Sequence, residues 1–358
     1  MHFDPDAAAT GDGLYGLPCS PEEARFVVIP VPFDATTSYR DGARNGPAAV
    51  LAASAQVDLF DLDFDRPWKA GIAMLPLDGE PAKTIARLNR AARLKAAPIL
   101  AAAGVVAGDK RLERGLAEVN RIGNQVNRLV QRAAADLLAA DKTPVVLGGD
   151  HATPFGAIRA VAARHPGLGI LHIDAHADLR EAYEGFTWSH ASIMHNVTRR
   201  ITRKGGVATL VQLGIRDLGE AEHHEIARKK GRDETRIASF FDTRLRARLL
   251  GGATWAGLCQ EIVAELPGKV YVSVDIDGLD PALCPDTGTP VPGGLTFAEL
   301  VELLHALVRS QRQVVGLDLN EVAPNRNASA AEWGADWNAN VGARVLYKLI
   351  GAAAASAS

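Results

Sequence analysis

Six short apolar runs recur along the chain and are separated by longer stretches of helical character. Runs that are apolar at nearly every position are typical of strands buried on both faces, as in a parallel sheet. Their alternation with helices predicts a three-layer α/β domain with helices on both faces of the sheet. The predicted strands are 24–31, 143–148, 168–174, 208–214, 269–277 and 313–319, and the predicted helices are 110–140, 154–164, 219–230, 253–266, 296–309 and 338–350.

The chain has 358 residues, 47% of them hydrophobic, which is enough for one large or two ordinary cores. No Pro/Gly/Ser-rich linker and no internal repeat divides it, so we expect a single domain over residues 1–350. An Ala-, Arg- and Leu-rich segment at 82–140 predicts two or three helices, broken near Pro98 and at 104–108, and overlaps an extra helical segment at about 76–120. We expect residues 82–120 to be peripheral to the chemistry and to take part in subunit contact or cleft closure. The low-complexity tail "GAAAASAS" at 351–358 is expected to be disordered.

Charge and cysteine usage narrow the class of protein. With 39 basic and 42 acidic residues the formal net charge is -3, which favours neither nucleic acid nor a membrane surface as partner. The three cysteines form no C-x-x-C pair, and the N-terminal residues lack the pattern of a signal peptide. The most apolar window, 97–108, is too short to span a bilayer. We therefore expect a cytoplasmic protein.

Acidic and histidine side chains follow three of the predicted strands, at the point where each strand ends. They lie in "TPVVLGGDH" (143–151), "HIDAHADLR" (172–180) and "SVDIDGLDP" (273–281). Alternate side chains of a strand share a face, and the carboxyl ends of parallel strands meet at one edge of the sheet. Such groups are rarely buried without a partner. The sequence therefore predicts a metal centre built from His151, Asp174, His176, Asp178, Asp275 and Asp277.

The composition of this set indicates the kind of metal centre. A single strand-end aspartate is usually a helix cap, and Asp150 and Asp280 are interpreted as caps or supporting groups. Four carboxylates and two imidazoles are too many for one tetrahedral zinc and suit two divalent ions. These ligands favour manganese, with iron, cobalt or nickel as alternatives. Such a pair can activate water for hydrolysis. A phosphoesterase or a non-catalytic metal-binding subunit could carry the same cluster.

The three motifs, in this order, resemble the signatures of the ureohydrolases, the family of arginase and agmatinase. "REAYEGFTWSHAS" (180–192) is similar to the segment that follows the second motif in microbial agmatinases. The resemblance covers about 25–60, 143–215 and 268–350. It implies an arginase-like αβα fold with a central, mostly parallel sheet of eight strands, assembled as a homotrimer or homohexamer. An intact ligand set argues against a non-catalytic subunit.

The resemblance also assigns roles to individual residues. It implies two ions per chain, Mn²⁺ first and Ni²⁺ as the alternative, with Asp174 and Asp275 shared between them. It gives His151 and Asp178 to one ion, and His176 and Asp277 to the other. The remaining implied roles are proton transfer by Asp178, proton relay by His190, guanidinium binding by Glu321, and substrate contact by Arg180, Tyr183 and Glu184.

The expected substrate is a small cationic guanidino compound, most closely agmatine, hydrolysed to urea and putrescine. "DLREAYEG" matches agmatinases better than the arginase pattern, which has Asn in place of Arg180. Guanidinobutyrate, guanidine and formiminoglutamate stay open as alternatives within the family. Formiminoglutamate has some support, because an arginine such as Arg180 could hold its carboxylate.

Overall fold

The computed structural model describes residues 3–9, 11–201 and 206–356, and a sheet of eight parallel strands forms its centre. The strand order is β2-β1-β3-β8-β7-β4-β5-β6, and every neighbouring pair is parallel. This confirms the predicted α/β class and the eight-stranded sheet. The strands are β1 (Phe26–Val31), β2 (Ile72–Met74), β3 (Thr143–Gly148), β4 (Leu168–Ile173), β5 (Val207–Ile215), β6 (Arg236–Phe241), β7 (Lys269–Asp275) and β8 (Gln313–Asn320).

Helices cover both faces of this sheet. Alternation along β3 shows the division, because Val145 and Leu147 pack in one apolar cluster and Val146 packs in another on the opposite face. Helices α1, α8, α9 and α10 contribute to the first face, and α2, α3, α4 and α5 to the second. The helices are α1 (Gly46–Ser54), α2 (Ala82–Ala101), α3 (Lys110–Ala139), α4 (Phe155–Arg164), α5 (Ile193–Arg200), α6 (Glu220–Ala227), α7 (Asp242–Leu250), α8 (Trp255–Ala264), α9 (Phe297–Arg309) and α10 (Trp337–Ala355).

The order of the central strands determines where a site can form. From β3 the chain passes to β4, which lies three places away, and the gap between them is filled later by β7 and β8. Such a reversal of strand order leaves a crevice at the carboxyl edge of the sheet, where ligands bind in open α/β folds. The ends of β3, β8, β7 and β4 therefore face one common space.

The additional helical segment differs from the prediction at Pro98. Helix α2 continues through Pro98 to Ala101, so the predicted break at Pro98 is wrong. Proline removes only the hydrogen bond to the carbonyl of Leu94, an exposed residue near the end of the helix. The second predicted break, at 104–108, agrees with the structure, in which residues 102–109 separate α2 from α3. Asp109 caps α3 by accepting bonds from the backbone N–H groups of Arg111 and Leu112.

The C-terminal residues also depart from expectation. Helix α10 extends to Ala355, and Ala352 and Ala353 are buried. The expected disorder of 351–358 is thus wrong for 351–355, because the small residues allow close packing. A Cβ added at Gly351 would lie 3.0 Å from Phe64. Residues 357–358 lie outside the described residues. None of the helices in the described ranges is both long and apolar enough to cross a membrane.

Candidate metal centre

Each predicted ligand lies at or just beyond the end of a central strand. Strand β4 ends at Ile173, immediately before Asp174, and strand β7 ends at Asp275. His151 follows β3 after a tight passage through Gly148 and Gly149. A Cβ at Gly149 would lie 1.9 Å from the carbonyl oxygen of Phe33, so this position accepts only glycine. The close approach of the chain at this point places the His151 ring over the ends of the neighbouring strands.

The first group of side chains surrounds His151. Its Nδ1 lies 2.9 Å from Asp174 Oδ2 and 3.4 Å from the Oδ2 atoms of both Asp178 and Asp275. All four residues are buried. Four side chains that could ligate a metal ion, from the ends of three strands, thus converge on one point, as the spacing in sequence predicts.

The second group lies beside the first. His176 Nδ1 is 3.2 Å from Asp277 Oδ2 and 3.5 Å from Asp174 Oδ1. The two oxygens of Asp174 thus face different groups, and this carboxylate connects them. Asp277 is held by the backbone N–H of Ala175 at 3.1 Å and by the hydroxyl of Thr289 at 3.2 Å. Five of the six predicted ligands, together with His172, fall in two groups that could each hold a metal ion and that share Asp174. The sixth, Asp275, is placed beside them by its 3.4 Å distance to His151 Nδ1.

A buried histidine that sequence reasoning missed supports Asp174. His172 Nε2 lies 2.8 Å from Asp174 Oδ2, and its Nδ1 lies 3.1 Å from Gln212 Nε2. Because the Gln212 amide nitrogen can only donate, His172 Nδ1 accepts and its Nε2 carries the proton toward Asp174. The signal was present in sequence, since the alternation of Asp174, His176 and Asp178 extends back by two residues to His172.

A second supporting contact orients His151. Its Nε2 lies 3.0 Å from Ser273 Oγ, and the Ser273 hydroxyl donates to Asp318 Oδ1 at 2.9 Å. This chain of hydrogen bonds turns Nδ1 toward the carboxylates. Buried carboxylates that orient ligand histidines in this way are common behind metal sites. Asp318 lies in strand β8 and was not predicted from the sequence.

The electrostatics of the cluster show that it fits cations. Burial raises the pKa of Asp178 well above its usual value, and the charge of Asp174 raises it further. Burial also raises the pKa of Asp275, as do the charges of Asp277 and Asp174. Although burial alone lowers it, Asp277 and Asp174 raise the pKa of His176 to about 12. The carboxylates thus repel one another and attract positive charge, which two divalent ions would supply.

A cavity of about 180 Å³ opens beside the cluster. His176, Asp178 and His190 form part of its wall, with Ser38 and Tyr39 on another part. Burial and, to a smaller extent, the nearby charge of His176 lower the pKa of His190 to about 4, so this imidazole is neutral at pH 7. A neutral histidine beside the predicted ligands can accept or donate a proton.

Of the three expected substrate contacts, Arg180 and Tyr183 line this cavity. The Arg180 guanidinium lies 5.1 Å from the Tyr183 ring centre, and its Nε is 3.4 Å from Glu222 Oε2. Glu184 is not among the lining residues; it adopts a left-handed backbone (φ 50°) against Gly104 of the turn after α2.

Glu321 lies at the end of β8, next to His151. Its Oε1 accepts a hydrogen bond of 3.1 Å from the His151 backbone N–H, and its Oε2 has no partner among the described residues. Burial raises the pKa of Glu321 well above its usual value, and the charges of Asp275 and Asp150 raise it further. The backbone at Glu321 is left-handed (φ 61°), a conformation that non-glycine residues adopt mainly at constrained sites. The unpartnered oxygen is suited to bind a cationic donor.

Helix α2 holds one wall of the cavity through contacts that the sequence did not reveal. Asn89 exchanges two hydrogen bonds with Asp34, of 3.0 and 3.1 Å. Arg93 donates to the carbonyl of Asp34 at 2.9 Å and to the carboxylate of Asp41 at 3.0 Å. The loop 34–42 includes Ser38 and Tyr39, so α2 positions part of the cavity wall.

Helix α3 holds another part of the cavity wall. Asn120 accepts a bond of 2.9 Å from the backbone N–H of Thr187 and donates one of 3.2 Å to the carbonyl of Gly185. The loop 183–190 contains Tyr183 and His190. The additional helices therefore contact both loops at the cavity.

Comparison with known proteins agrees with this geometry. The arginase family model matches residues 24–351. The chain is 35% identical over 305 residues to N(1)-aminopropylagmatine ureohydrolase of Thermus thermophilus, covering 85% of this chain and 84% of that protein. It is 33% identical over 304 residues to the agmatinase of Bacillus cereus, covering 85% of each. The solved structure of the agmatine ureohydrolase of Thermoplasma volcanium matches the fold with a TM-score of 0.64 at 22% identity, covering 99% of this chain and 96% of that chain.

Proposed function

Because the chain belongs to the arginase family and is a hydrolase of guanidino C–N bonds, we propose that its substrate is agmatine, which it converts to urea and putrescine. Agmatine carries a guanidinium at one end and an ammonium at the other. The proposal therefore requires a cavity that accepts positive charge at both ends.

The charge of the cavity is the observation that carries this proposal. Asp178 and Asp217 line it, and Asp217 is exposed, with its Oδ2 4.0 Å from His176 Nε2. Among the described residues that line the cavity, Arg180 is the only arginine or lysine, and Glu222 and Tyr183 already contact it. A cavity with this balance favours a dication and disfavours a substrate with a free carboxylate. This argues against guanidinobutyrate and formiminoglutamate.

Each residue at the site has a proposed role in the reaction. Two divalent ions held by the six ligands, most suitably Mn²⁺, would supply an activated water molecule for attack on the guanidinium carbon. Asp178 would accept the proton released by that water. His190, neutral at pH 7, would carry a proton between solvent and the leaving amine. Glu321 would accept hydrogen bonds from the guanidinium and fix its orientation.

A longer polyamine is a second candidate, namely N(1)-aminopropylagmatine. The relative named for this substrate is as similar to the chain as the agmatinase is. Tyr39, on the wall of the cavity, has 71% of its surface exposed, so the cavity communicates with solvent at this side. A substrate with an additional aminopropyl group could extend past Tyr39.

Urea release from a panel of substrates tests both candidates. The panel contains agmatine, N(1)-aminopropylagmatine, arginine, guanidinobutyrate and guanidine, each assayed with Mn²⁺ and Ni²⁺ in turn. It also contains formiminoglutamate, for which the product measured is formamide. We expect kcat/KM to be highest for agmatine or its aminopropyl derivative with Mn²⁺. A higher value for a carboxylate-bearing substrate would contradict the proposal.

We further propose a cytoplasmic homotrimer or homohexamer. The family resemblance supports the assembly, and the absence of disulfides among Cys19, Cys259 and Cys284 supports a reducing compartment. Sedimentation of the full chain tests the assembly: a monomer at micromolar concentration would contradict it.

A further inference from the structure

A second cavity, of about 250 Å³, lies between helices α3, α4 and α5, apart from the metal-ligand residues. Its wall includes Asn127 and Arg128 from α3, Arg159 from α4, and Arg200 from the end of α5. Trp188, in the loop before α5, also lines it, as do Asn124, Gln131 and Phe155. No aspartate or glutamate of the described residues lines this cavity.

The three arginines are unusual because the whole chain has a formal net charge of -3. In the described ranges, the side chains of Arg128 and Arg159 have no hydrogen bond or ion pair. Arg200 donates to Asn196 Oδ1 at 2.8 Å, and its guanidinium lies 4.9 Å from the Trp188 ring centre. No carboxylate of the described residues forms an ion pair with any of the three. Like charges on one cavity repel one another, so the cavity has a positive potential that favours an anion.

The side chain of Asn127 is an independent indication of a ligand site. The residue is only 5% exposed, and its side-chain Nδ2 has no hydrogen-bond partner in the described part of the chain. Buried amide donors are normally satisfied, so an unsatisfied one favours binding of an acceptor. An acceptor in the cavity would satisfy Asn127.

The walls of this cavity are firmly packed. A Cβ on Gly156 of α4 would lie 2.2 Å from the carbonyl oxygen of Asn127, so α3 and α4 are in direct backbone contact. The Trp188 ring lies 4.9 Å from the Phe155 ring, and a Cβ on Gly123 would lie 2.8 Å from Trp188 Cβ. The arginines thus project from rigid elements, which favours a preformed site.

We propose that this cavity binds an oxyanion, the phosphate or carboxylate group of a small molecule, between Arg128, Arg159 and Arg200. Guanidinium groups match the geometry of such anions and bind them through charge-assisted hydrogen bonds. The Asn127 amide provides a further donor. Trp188 lies two residues before His190, so a bound anion would contact the same loop that carries the proposed proton relay.

Calorimetric titration of the manganese-loaded protein with inorganic phosphate, and separately with citrate, tests the proposal and distinguishes the two sources of oxyanion. Sodium chloride at matched ionic strength serves as the reference. Because phosphate can also bind at the metal ions, the same titrations are made on Arg128→Gln and Arg159→Gln. Each variant should weaken binding roughly tenfold or more, as expected for loss of one charge-assisted contact.

Arg132→Gln is the matched control, since Arg132 lies one turn along α3 from Arg128 and does not line the cavity. It should bind phosphate and citrate as the wild-type protein does. Tryptophan fluorescence provides a second measurement: the chain has five tryptophans, and the change on binding should disappear in Trp188→Phe.

Equal affinity in all variants would overturn the proposal. An absence of saturable binding to the wild-type protein would also overturn it. If the sedimentation of Arg159→Gln changed as well, the arginines would face another subunit and not a small anion. Urea release from agmatine by Arg159→Gln separates this test from the proposed function, which does not involve Arg159.

Discussion

The predicted metal-ligand cluster (His151, Asp174, His176, Asp178, Asp275 and Asp277) and the two entrance loops (34–42 and 183–190) meet at one cavity but are built differently. The cluster consists of side chains at the ends of adjacent buried strands. The entrance loops obtain their positions from helices α2 and α3, through Asn89, Arg93 and Asn120.

Because of this difference, the two regions should affect different steps of the reaction, namely chemistry and substrate binding. The cluster is fixed by the sheet, so its geometry should tolerate changes in the helices. The entrance loops are fixed by hydrogen bonds between residues more than 50 positions apart, as between Asp34 and Asn89. We infer that the cluster determines whether the chemistry occurs, whereas the helix contacts determine how well the substrate is held.

The largest effect is expected from Asp275→Ala. This change removes a predicted ligand of both ions and should reduce bound metal from two ions per chain toward one or none. Activity should fall by a factor on the order of 1000 or more, since the ions activate the water. Metal analysis after desalting measures the first effect. Asp280→Ala is the control, because Asp280 Oδ1 only accepts a turn hydrogen bond from Ala282. Retention of two ions and full activity by Asp275→Ala would refute the dinuclear assignment.

Glu321→Gln tests the proposed guanidinium contact beside the cluster without removing a predicted metal ligand. The change keeps the shape of the side chain but places an amide donor against a guanidinium, which has only donors. We expect a loss of about 2–4 kcal/mol in transition-state stabilisation, or roughly 30- to 1000-fold in kcat/KM. Metal content should be unchanged. Wild-type efficiency would mean that Glu321 does not contact the substrate.

His190→Asn concerns a residue that belongs to an entrance loop and also acts beside the cluster. Loss of the relay should slow turnover on the order of 100-fold, with metal content intact. His195→Asn is the control, because His195 lies in α5 and does not line the cavity. Stopped-assay measurement of urea gives kcat for both variants. If His190→Asn changed KM alone, His190 would be a structural part of the loop.

The cluster could be predicted because its side chains lie only a few residues apart in sequence, at the ends of apolar strands. A period of two at the ends of two apolar strands identified five of the six predicted ligands, and the end of a third strand identified His151. The same period would have identified His172. Strands β2 and β6 were missed for a physical reason. Strand β2 has three residues, and β6 is an edge strand whose residues are largely half-buried, so neither forms a continuous apolar run.

The entrance loops could not be predicted in the same way. Asn89 and Asn120 are buried or half-exposed polar residues in helices, and nothing near them in sequence indicates Asp34 or Thr187 as partners. The basic composition of 82–120 suggested a peripheral helix, but Ile85, Leu88 and Ala92 pack in the core against β1. Deletion of this segment would therefore disrupt the fold, and point substitutions are the informative experiments.

Arg93→Ala is expected to have the smallest effect, and it tests most directly whether the helix contacts act on substrate binding alone. Arg93 is 31% exposed and connects α2 to the loop 34–42 through Asp34, Thr37 and Asp41. Its loss should free Ser38 and Tyr39 to move without touching a predicted ligand. If the contacts contribute about 1 kcal/mol to substrate positioning, KM should rise roughly fivefold.

Steady-state kinetics with agmatine should then show little change in kcat and no change in bound metal, because uniform binding is lost and not transition-state stabilisation. Arg90→Ala is the matched control: Arg90 is exposed on the same helix and has no partner in the described part of the chain. A large fall in kcat or loss of metal in Arg93→Ala would contradict the division drawn between the two regions. It would show that α2 positions the metal-ligand cluster as well, through Asp34 and the neighbouring Asp150, whose pKa is raised by burial and by the charge of Asp34.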